Sequence, residues 1–453
     1  MVKYTARALA VQILTRVEQE EAYANLLLRY HLPDLEDSRE RNLATALVNG
    51  SLKNRLLLDY ALRGFLSKPL SALPHAVRWI LRTAAWQILF LDHIPVAAAV
   101  NEAVELCKEN AARYAALVNS VLRRVAERGW NIAWPDERRE SARYLSVRYS
   151  HPEWLVKRWL KRWGWVETEA LCRWDNEPAQ TWIRANRLRM DREGLLEILR
   201  REGLTAETGE RAPDSMLLRD PGMLTRWESF RQGYFSVQDE SSQLAVCVLD
   251  PRPGERVLDV CAAPGGKSAY IAERMSNRGR VVACDIHGHK LSLIRETAER
   301  LGLEIIEARE QDARHLPEEW QGKMDRVLVD APCSGFGVLR RKADLRWRKQ
   351  ERALDQFPAL QESILHSAAQ CVAPDGVLVY CTCTLEPEEN FELVKAFRRE
   401  HAEFTPEDLS GSLPFTLSDP QDIKQEKKGV LQLLPHKHGM DGFFLAKFRR
   451  NGV

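Results

Sequence analysis

The sequence of 453 residues has no apolar run near the roughly 20 residues that a membrane-spanning helix requires, and its first residues lack the charged-then-apolar pattern of an export signal. These absences predict a soluble, cytoplasmic protein. Charge excess is missing too: 66 Lys and Arg face 64 Asp and Glu, a formal net charge of +2. A generally polycationic protein is thereby excluded, and any nucleic-acid contact must come from local patches. The nine cysteines are odd in number and contain no CxxC pair, which argues against a disulfide framework and against a common zinc site. Seven of them, from Cys247 to Cys383, fall in the second half, where thiol chemistry has its material.

What is present is centred on residues 256–275, RVLDVCAAPGGKSAYIAERM. A short apolar run, a Pro-Gly-Gly break and a helical pattern read as strand, tight turn and helix. In an α/β sheet that junction is a ligand seat, because glycines allow close backbone approach and the helix N-terminus presents N–H groups. A Walker A loop would need glycine at position 261, where this chain has Cys261, and adjacent Gly265 and Gly266 lack the G-x-G spacing of dinucleotide sites. Neither a nucleotide-triphosphate loop nor an NAD fingerprint is therefore expected.

Upstream, residues 1 to about 130 carry helical periodicity throughout. Leu9, Ile13 and Val17 repeat at i, i+4, Leu117, Val118, Val121, Leu122 and Val125 make a second face, and Pro74 and Pro95 sit where helices begin. Eight of thirteen tryptophans then fall between Trp130 and Trp182 among many arginines, a pattern that suits RNA or, at least as well, a packed domain junction. A small α+β module follows. The C-terminal half repeats strand then helix, with strands expected at 257–260, 281–284, 304–308, 327–329 and 377–380, which predicts a doubly wound, mostly parallel sheet. A last strand at 443–448 is expected antiparallel at the sheet edge.

Ligands of such sheets sit beyond the carboxyl ends of the strands. Asp285 ends the second strand, about 20 residues after the turn, where a carboxylate bonds ribose hydroxyls. Asp312 follows the third strand, at a place to accept from an adenine amino group. The fourth strand ends in Asp330-Ala331-Pro332-Cys333 and the fifth in Cys381-Thr382-Cys383, so carboxylate and thiols meet at one pocket rim. Cys381 and Cys383 share a strand face, and spacing alone does not choose between them. No metal is expected, since these thiols lack zinc-ligand spacing.

At these residues the sequence resembles the RNA 5-methylcytosine methyltransferases. DVCAAPGGK at 259–267, DI at 285, QDA at 311, DAPCSGFG at 330–337 and CTCT at 381–384 carry the resemblance. The helical first domain resembles the NusB fold, and the whole order resembles the RsmB/Sun/Fmu family of bacterial 16S rRNA methyltransferases. The resemblance implies an all-α NusB-like domain over 1–135, a Trp/Arg-rich linker with a small α+β, RRM-like module over 136–235, and a Rossmann-like methyltransferase domain with a seven-stranded sheet over 236–453. It implies S-adenosylmethionine as cofactor, held by Cys261, Ala262, Ala263, Pro264, Gly265, Gly266, Lys267, Asp285, Asp312 and Asp330. It makes Cys383 the nucleophile, Cys333 the thiol of product release and Asp330 a further catalytic group, with Lys267 and the cofactor sulfonium supplying the positive charge a thiolate needs. The expected partner is 16S rRNA in a small-subunit assembly intermediate, and the expected state a monomer. The same motifs would serve a tRNA or another rRNA position, or persist in a non-catalytic assembly factor.

Between 340 and 352 seven basic residues face two acidic ones. Arg340, Arg341, Lys342, Arg346 and Arg348 are expected to hold RNA phosphates beside the target base, with a solvated helix face as the alternative.

Overall fold

A computed structural model of the chain describes residues 5–20 and 22–452. Two compact units emerge, and the chain visits the first of them twice: Met1–Glu177 with Leu339–Glu351, and Pro178–Val338 with Arg352–Val453.

The first unit is helical. Its described helices are α1 (Ala6–Gln19), α2 (Ala24–His31), α3 (Ser38–Lys53), α4 (Arg55–Arg63), α5 (His75–Phe90), α6 (Val96–Ala111), α7 (Ala115–Arg128), α8 (Ser141–Tyr149) and α9 (Glu153–Trp174). The side chain of Thr5 caps α1, accepting from the Ala8 N–H at 3.2 Å, while Pro74 and Pro95 stand immediately before α5 and α6. Leu9, Ile13 and Val17 of α1 and Val118, Val121, Leu122 and Val125 of α7 are buried in one core with α5. Helical structure thus runs past residue 135, and α8 and α9 belong with this unit. Of the eight clustered tryptophans only Trp130 is exposed, at 45%; Trp159 and Trp182 are buried, and the others are partly covered.

Residues 339–351 also pack here, and this corrects the phosphate-binding expectation for Arg346. Its side chain is fully buried. The guanidinium donates to the carbonyls of Lys53 (3.1 Å), Ser150 (3.1 Å) and Asp175 (2.8 Å) and to Asn176 Oδ1 (2.7 Å), so no donor face is left for RNA. Beside it Trp347 Nε1 donates to the Leu52 carbonyl at 2.8 Å. Arg340 lies over the Trp174 ring and within 3.6 Å of Glu177, and Arg348 over Tyr23, whereas Lys342 is exposed.

The second unit holds two sheets. Strands β1 (Thr181–Ala185), β2 (Thr205–Thr208), β3 (Ser215–Arg219) and β4 (Phe235–Val237) form an antiparallel sheet in the order β2-β3-β1-β4. The helix Arg192–Arg201 covers it through Leu195 and Leu199, packed on Ile183, Met216 and Leu218. The larger sheet contains β5 (Arg256–Asp259), β6 (Arg280–Asp285), β7 (Ile306–Glu310), β8 (Met324–Asp330), β9 (Val372–Thr382), β10 (Phe404–Pro406), β11 (Val430–Leu433) and β12 (Phe443–Arg450). Its order is β10-β12-β9-β8-β5-β6-β7, with β11 added beside β12. Pairs from β7 through β9 are parallel; those of β12 are antiparallel.

Sequence alternation sorts the faces. Val257, Val281, Leu328, Val377 and Val379 meet the helices Glu240–Leu249 and Gly266–Arg274 on one side. Leu258, Val282, Val327, Val329, Leu378 and Tyr380 meet the helices Gln356–Cys371 and Phe391–Glu400 on the other. The expected edge position of the last strand is corrected: β12 runs antiparallel but inside the sheet, between β9 and the pair β10 and β11. Its run of Phe443, Phe444, Leu445, Ala446 and Phe448, all nearly inaccessible, demands cover on both faces, which an interior strand obtains.

Candidate active site

The order reverses at β5, whose neighbours are β6 on one side and β8 on the other, and the crevice at such a switch point is where α/β sheets bind ligands. Asp259, Asp285 and Asp330 end these three strands, and β9 ends beside them at Thr382.

The turn after β5 works as its composition suggests. Gly265 has φ +100°, and a Cβ there would stand 3.1 Å from Ile294 Cα, so both the backbone conformation and the packing select glycine. The helix starts at Gly266. Ser268 Oγ reaches back to Asp259 Oδ2 at 2.6 Å. Asp259 is fully buried, and burial pushes its carboxyl up to about 7 against the pull of that hydrogen bond. Asp259 opens the DVCAAPGGK motif, and an acid closing an apolar strand is the sign of its burial.

A second group outside the motifs holds the turn. Arg184 of β1 has no exposed surface. It donates from Nε and Nη2 to Glu273 at 3.1 and 2.7 Å, and from Nη1 to the Gly266 carbonyl at 3.0 Å and to Gln238 Oε1. The small sheet is thus bonded to the helix that begins at the turn. An arginine inside the strand sequence TWIRA was the available sign, because a buried charge requires a partner.

Of the residues expected at the cofactor, Asp285 is 9% exposed and caps the following turn, accepting from the His287 N–H at 2.9 Å. Ile286 beside it is half exposed. Asp312 follows β7 but is already engaged: Arg314 donates from Nε and Nη2 to its carboxylate, the latter at 2.6 Å, and holds it below the usual range. Cys261 is partly exposed, and burial with nearby Asp259 and Asp330 raises its thiol well above the ordinary value. Lys267 does not supply a free positive charge. Its Nζ lies 2.6 Å from Asp330 Oδ2, and although burial opposes the charged form, Asp330 keeps the ammonium above its ordinary value.

The structure separates the two thiols that spacing could not. Cys381 is inaccessible, its sulfur 3.6 Å from Asp330 Oδ1, and burial with that carboxylate raises its thiol. Cys383 lies one residue past the end of β9, is partly exposed, and places its sulfur 3.3 Å from that of Cys333. The hydrogen bond to Cys383, then burial, then the charges of Cys383, Glu389 and Asp330 push the Cys333 thiol well up. The loops meet through backbone as well: Gly337 N–H donates to the Cys383 carbonyl at 2.9 Å, and a Cβ on Gly337 would lie 2.2 Å from the Gly442 carbonyl oxygen.

Comparison with known proteins agrees with this architecture. A profile of the family described as 16S rRNA methyltransferase RsmB/F matches residues 246–449, the NusB family matches 4–127, and the ferredoxin-like domain of RsmF/B-like methyltransferases matches 151–225. The probable ribosomal RNA small subunit methyltransferase B of Bacillus subtilis (strain 168) is 41% identical over 456 residues, covering 100% of both chains. The protein of the same description from Synechocystis sp. (strain ATCC 27184 / PCC 6803 / Kazusa) is 34% identical, covering 98% of this chain and 99% of its own. The crystal structure of PH0851 superposes with a TM-score of 0.82 at 27% identity, covering 99% of this chain and 100% of that one. The chain belongs to the ribosomal RNA small subunit methyltransferase B family, with a NusB-like domain, a ferredoxin-like module and a methyltransferase domain in that order.

Proposed function

We propose that the chain methylates carbon 5 of a cytosine in 16S rRNA, using S-adenosylmethionine and a covalent adduct between Cys383 and carbon 6 of the base. The contact that carries this reading is the 3.3 Å approach of Cys333 and Cys383, both partly exposed at the rim.

The crevice suits the cofactor. The backbone turn with Gly265 in the left-handed region, the helix N-terminus at Gly266, the carboxylate of Asp285 and the apolar Ile286 match a ligand with a nucleoside and an amino-acid end. Residues 261–267 and Asp285 hold it in this reading, and Asp330 borders it; Asp312 takes part only if it exchanges its bond with Arg314. When bound, the cofactor supplies an electrophilic methyl group.

Carbon 5 of cytosine is too weak a nucleophile to take that methyl unaided. Addition of the Cys383 thiolate to carbon 6 moves the ring electrons toward carbon 5 and N3, dividing one hard step into easier ones. A hydrogen bond between the Cys333 and Cys383 sulfurs links the two thiols before attack. Asp330, oriented by Lys267, accepts from the 4-amino N–H of the base. After methyl transfer a base removes the carbon-5 proton, the double bond reforms, and Cys383 leaves as thiolate. Cys333, directly or through a water, is that base.

The test uses unmodified 16S rRNA, free or in small-subunit particles, with S-adenosylmethionine. Bisulfite sequencing should show one protected cytosine with the native chain and none with Cys383→Ala. Cys333→Ala should leave a protein–RNA adduct, visible as a slow band on a denaturing gel. Protection that persists in Cys383→Ala would sink the assignment of the nucleophile.

A further inference from the structure

Buried carboxylates and carboxamides are rare unless fully engaged, and the sequence Pro387-Glu388-Glu389-Asn390 places one of each side by side with no exposed surface at Glu389 or Asn390. Their side chains serve different loops. Glu389 Oε2 accepts from the Ser334 N–H at 2.9 Å and from Gln361 Nε2 at 2.8 Å, and the same Gln361 nitrogen donates to the Pro332 carbonyl at 2.8 Å. Pro332 and Ser334 are the two neighbours of Cys333. Asn390 Oδ1 accepts from Thr382 Oγ1 at 2.6 Å, and its Nδ2 donates to the Thr384 carbonyl at 3.0 Å. Thr382 and Thr384 are the two neighbours of Cys383. A bond of 2.6 Å between Ser334 Oγ and Thr384 Oγ1 links the two loops directly.

We propose that Glu389 and Asn390 are positioning residues for the two sulfurs, Glu389 with Gln361 fixing Cys333 and Asn390 fixing Cys383. The proposal rests on the covalent reading above. Neither side chain touches the reacting atoms. Asn390 clamps both flanks of Cys383, and Glu389 holds one flank of Cys333 directly and the other through Gln361; because the two are consecutive residues anchored by the Tyr380 hydroxyl, which donates to the Glu389 carbonyl at 2.7 Å, they hold the sulfur–sulfur spacing as a unit. Displacement of a reacting group by about 1 Å costs up to about 100-fold in rate. Loss of one clamp therefore damages one half of the reaction.

The experiment follows the protein–RNA adduct on denaturing gels with the full chain, a 16S rRNA transcript or small-subunit particle, and S-adenosylmethionine, with Cys333→Ala as reference. Glu389→Ala should accumulate adduct and slow product release by about 10- to 100-fold. Glu389→Gln keeps an acceptor for the Ser334 N–H and should restore most of that rate. Asn390→Ala should lose turnover without accumulating adduct, and in the Cys333→Ala background it should slow adduct formation by about tenfold or more. Should Glu389→Ala fail to fold, Gln361→Ala removes the contact with Pro332 and should slow release in the same way. Equal losses of adduct formation and release in both variants, tracking the folded fraction in a thermal melt, would overturn the proposal. Adduct with Cys333→Ala but unchanged release with Glu389→Ala would overturn it while sparing the covalent reading. No adduct with Cys333→Ala would overturn both.

Discussion

Asp259 binds its proton because the strand end that carries it is dry. Its carboxyl is pushed up to about 7 in the folded chain, from an ordinary value of 3.8, chiefly by burial. A raised carboxyl contributes stability that is complete below the unfolded value and lost as pH rises through the folded one. Between pH 4 and pH 7 the native chain should therefore lose stability relative to Asp259→Asn, by up to roughly 4 kcal/mol at 1.36 kcal/mol per pH unit. Urea denaturation of both proteins at several pH values measures this, and parallel curves would refute it. The raised carboxyl of Asp259 was not legible in the sequence because its burial depends on Ser268 folding back across the turn. Alternation alone left Cys381 and Cys383 as a pair and the resemblance pointed to Cys383; the end of β9 at Thr382 puts Cys383 at the rim and leaves Cys381 buried.

Among elements, the turn after β5 depends on a strand of the small sheet that no motif marks. Removing one partner of a buried ion pair leaves the other charge stranded, at a cost of about 3–5 kcal/mol. Arg184→Ala, which also withdraws a donor from the Gly266 carbonyl, should destabilise the second unit by about that amount. Arg184→Ala with Glu273→Gln should recover part of the loss, since the stranded charge is then gone. Denaturant midpoints of the two proteins report this; equal midpoints would mean that the pair contributes little. A different constraint acts at Gly337, where the loops of Cys333 and Cys383 touch through backbone. Gly337→Ala should abolish adduct formation with little change in cofactor affinity, because the methyl would force the loops apart on the side away from the glycine turn. The parallel core was legible from its apolar runs, while the interior position of β12 was not. Burial on both faces makes a strand apolar, but which strands flank it is set by long-range pairing.

For the whole molecule, the segment Leu339–Glu351 shows how a charge pattern misleads when its tertiary destination is unknown. Arginines spaced for a phosphate surface are spent on carbonyl groups and aromatic rings of the helical unit. Arg346→Ala should lower the stability of that unit by a few kcal/mol, since four acceptors lose their donor, and should leave the salt dependence of RNA binding unchanged. The exposed Lys342 is expected to behave in the opposite way. Lys342→Ala should lower the slope of log affinity against log salt by about one, with the melting temperature unaltered. Binding isotherms over a salt series and thermal melts separate the two, and a reduced slope with Arg346→Ala would contradict the burial argument.

The sequence by itself determined the helical first domain, the strand–turn–helix seat around Gly265 and Gly266, the parallel sheet and the thiol and carboxylate residues at its rim. These depend on local periodicity, backbone freedom and side-chain type, all of which are written within short windows of chain. Tertiary structure alone decided that Lys267 is paired with Asp330, that Cys383 rather than Cys381 meets Cys333, that Arg184 braces the turn, and that Arg346 is interior. Each of these is a contact between residues 50 or more positions apart in the chain or a consequence of burial, and neither distance nor dryness is encoded in the spacing of neighbours.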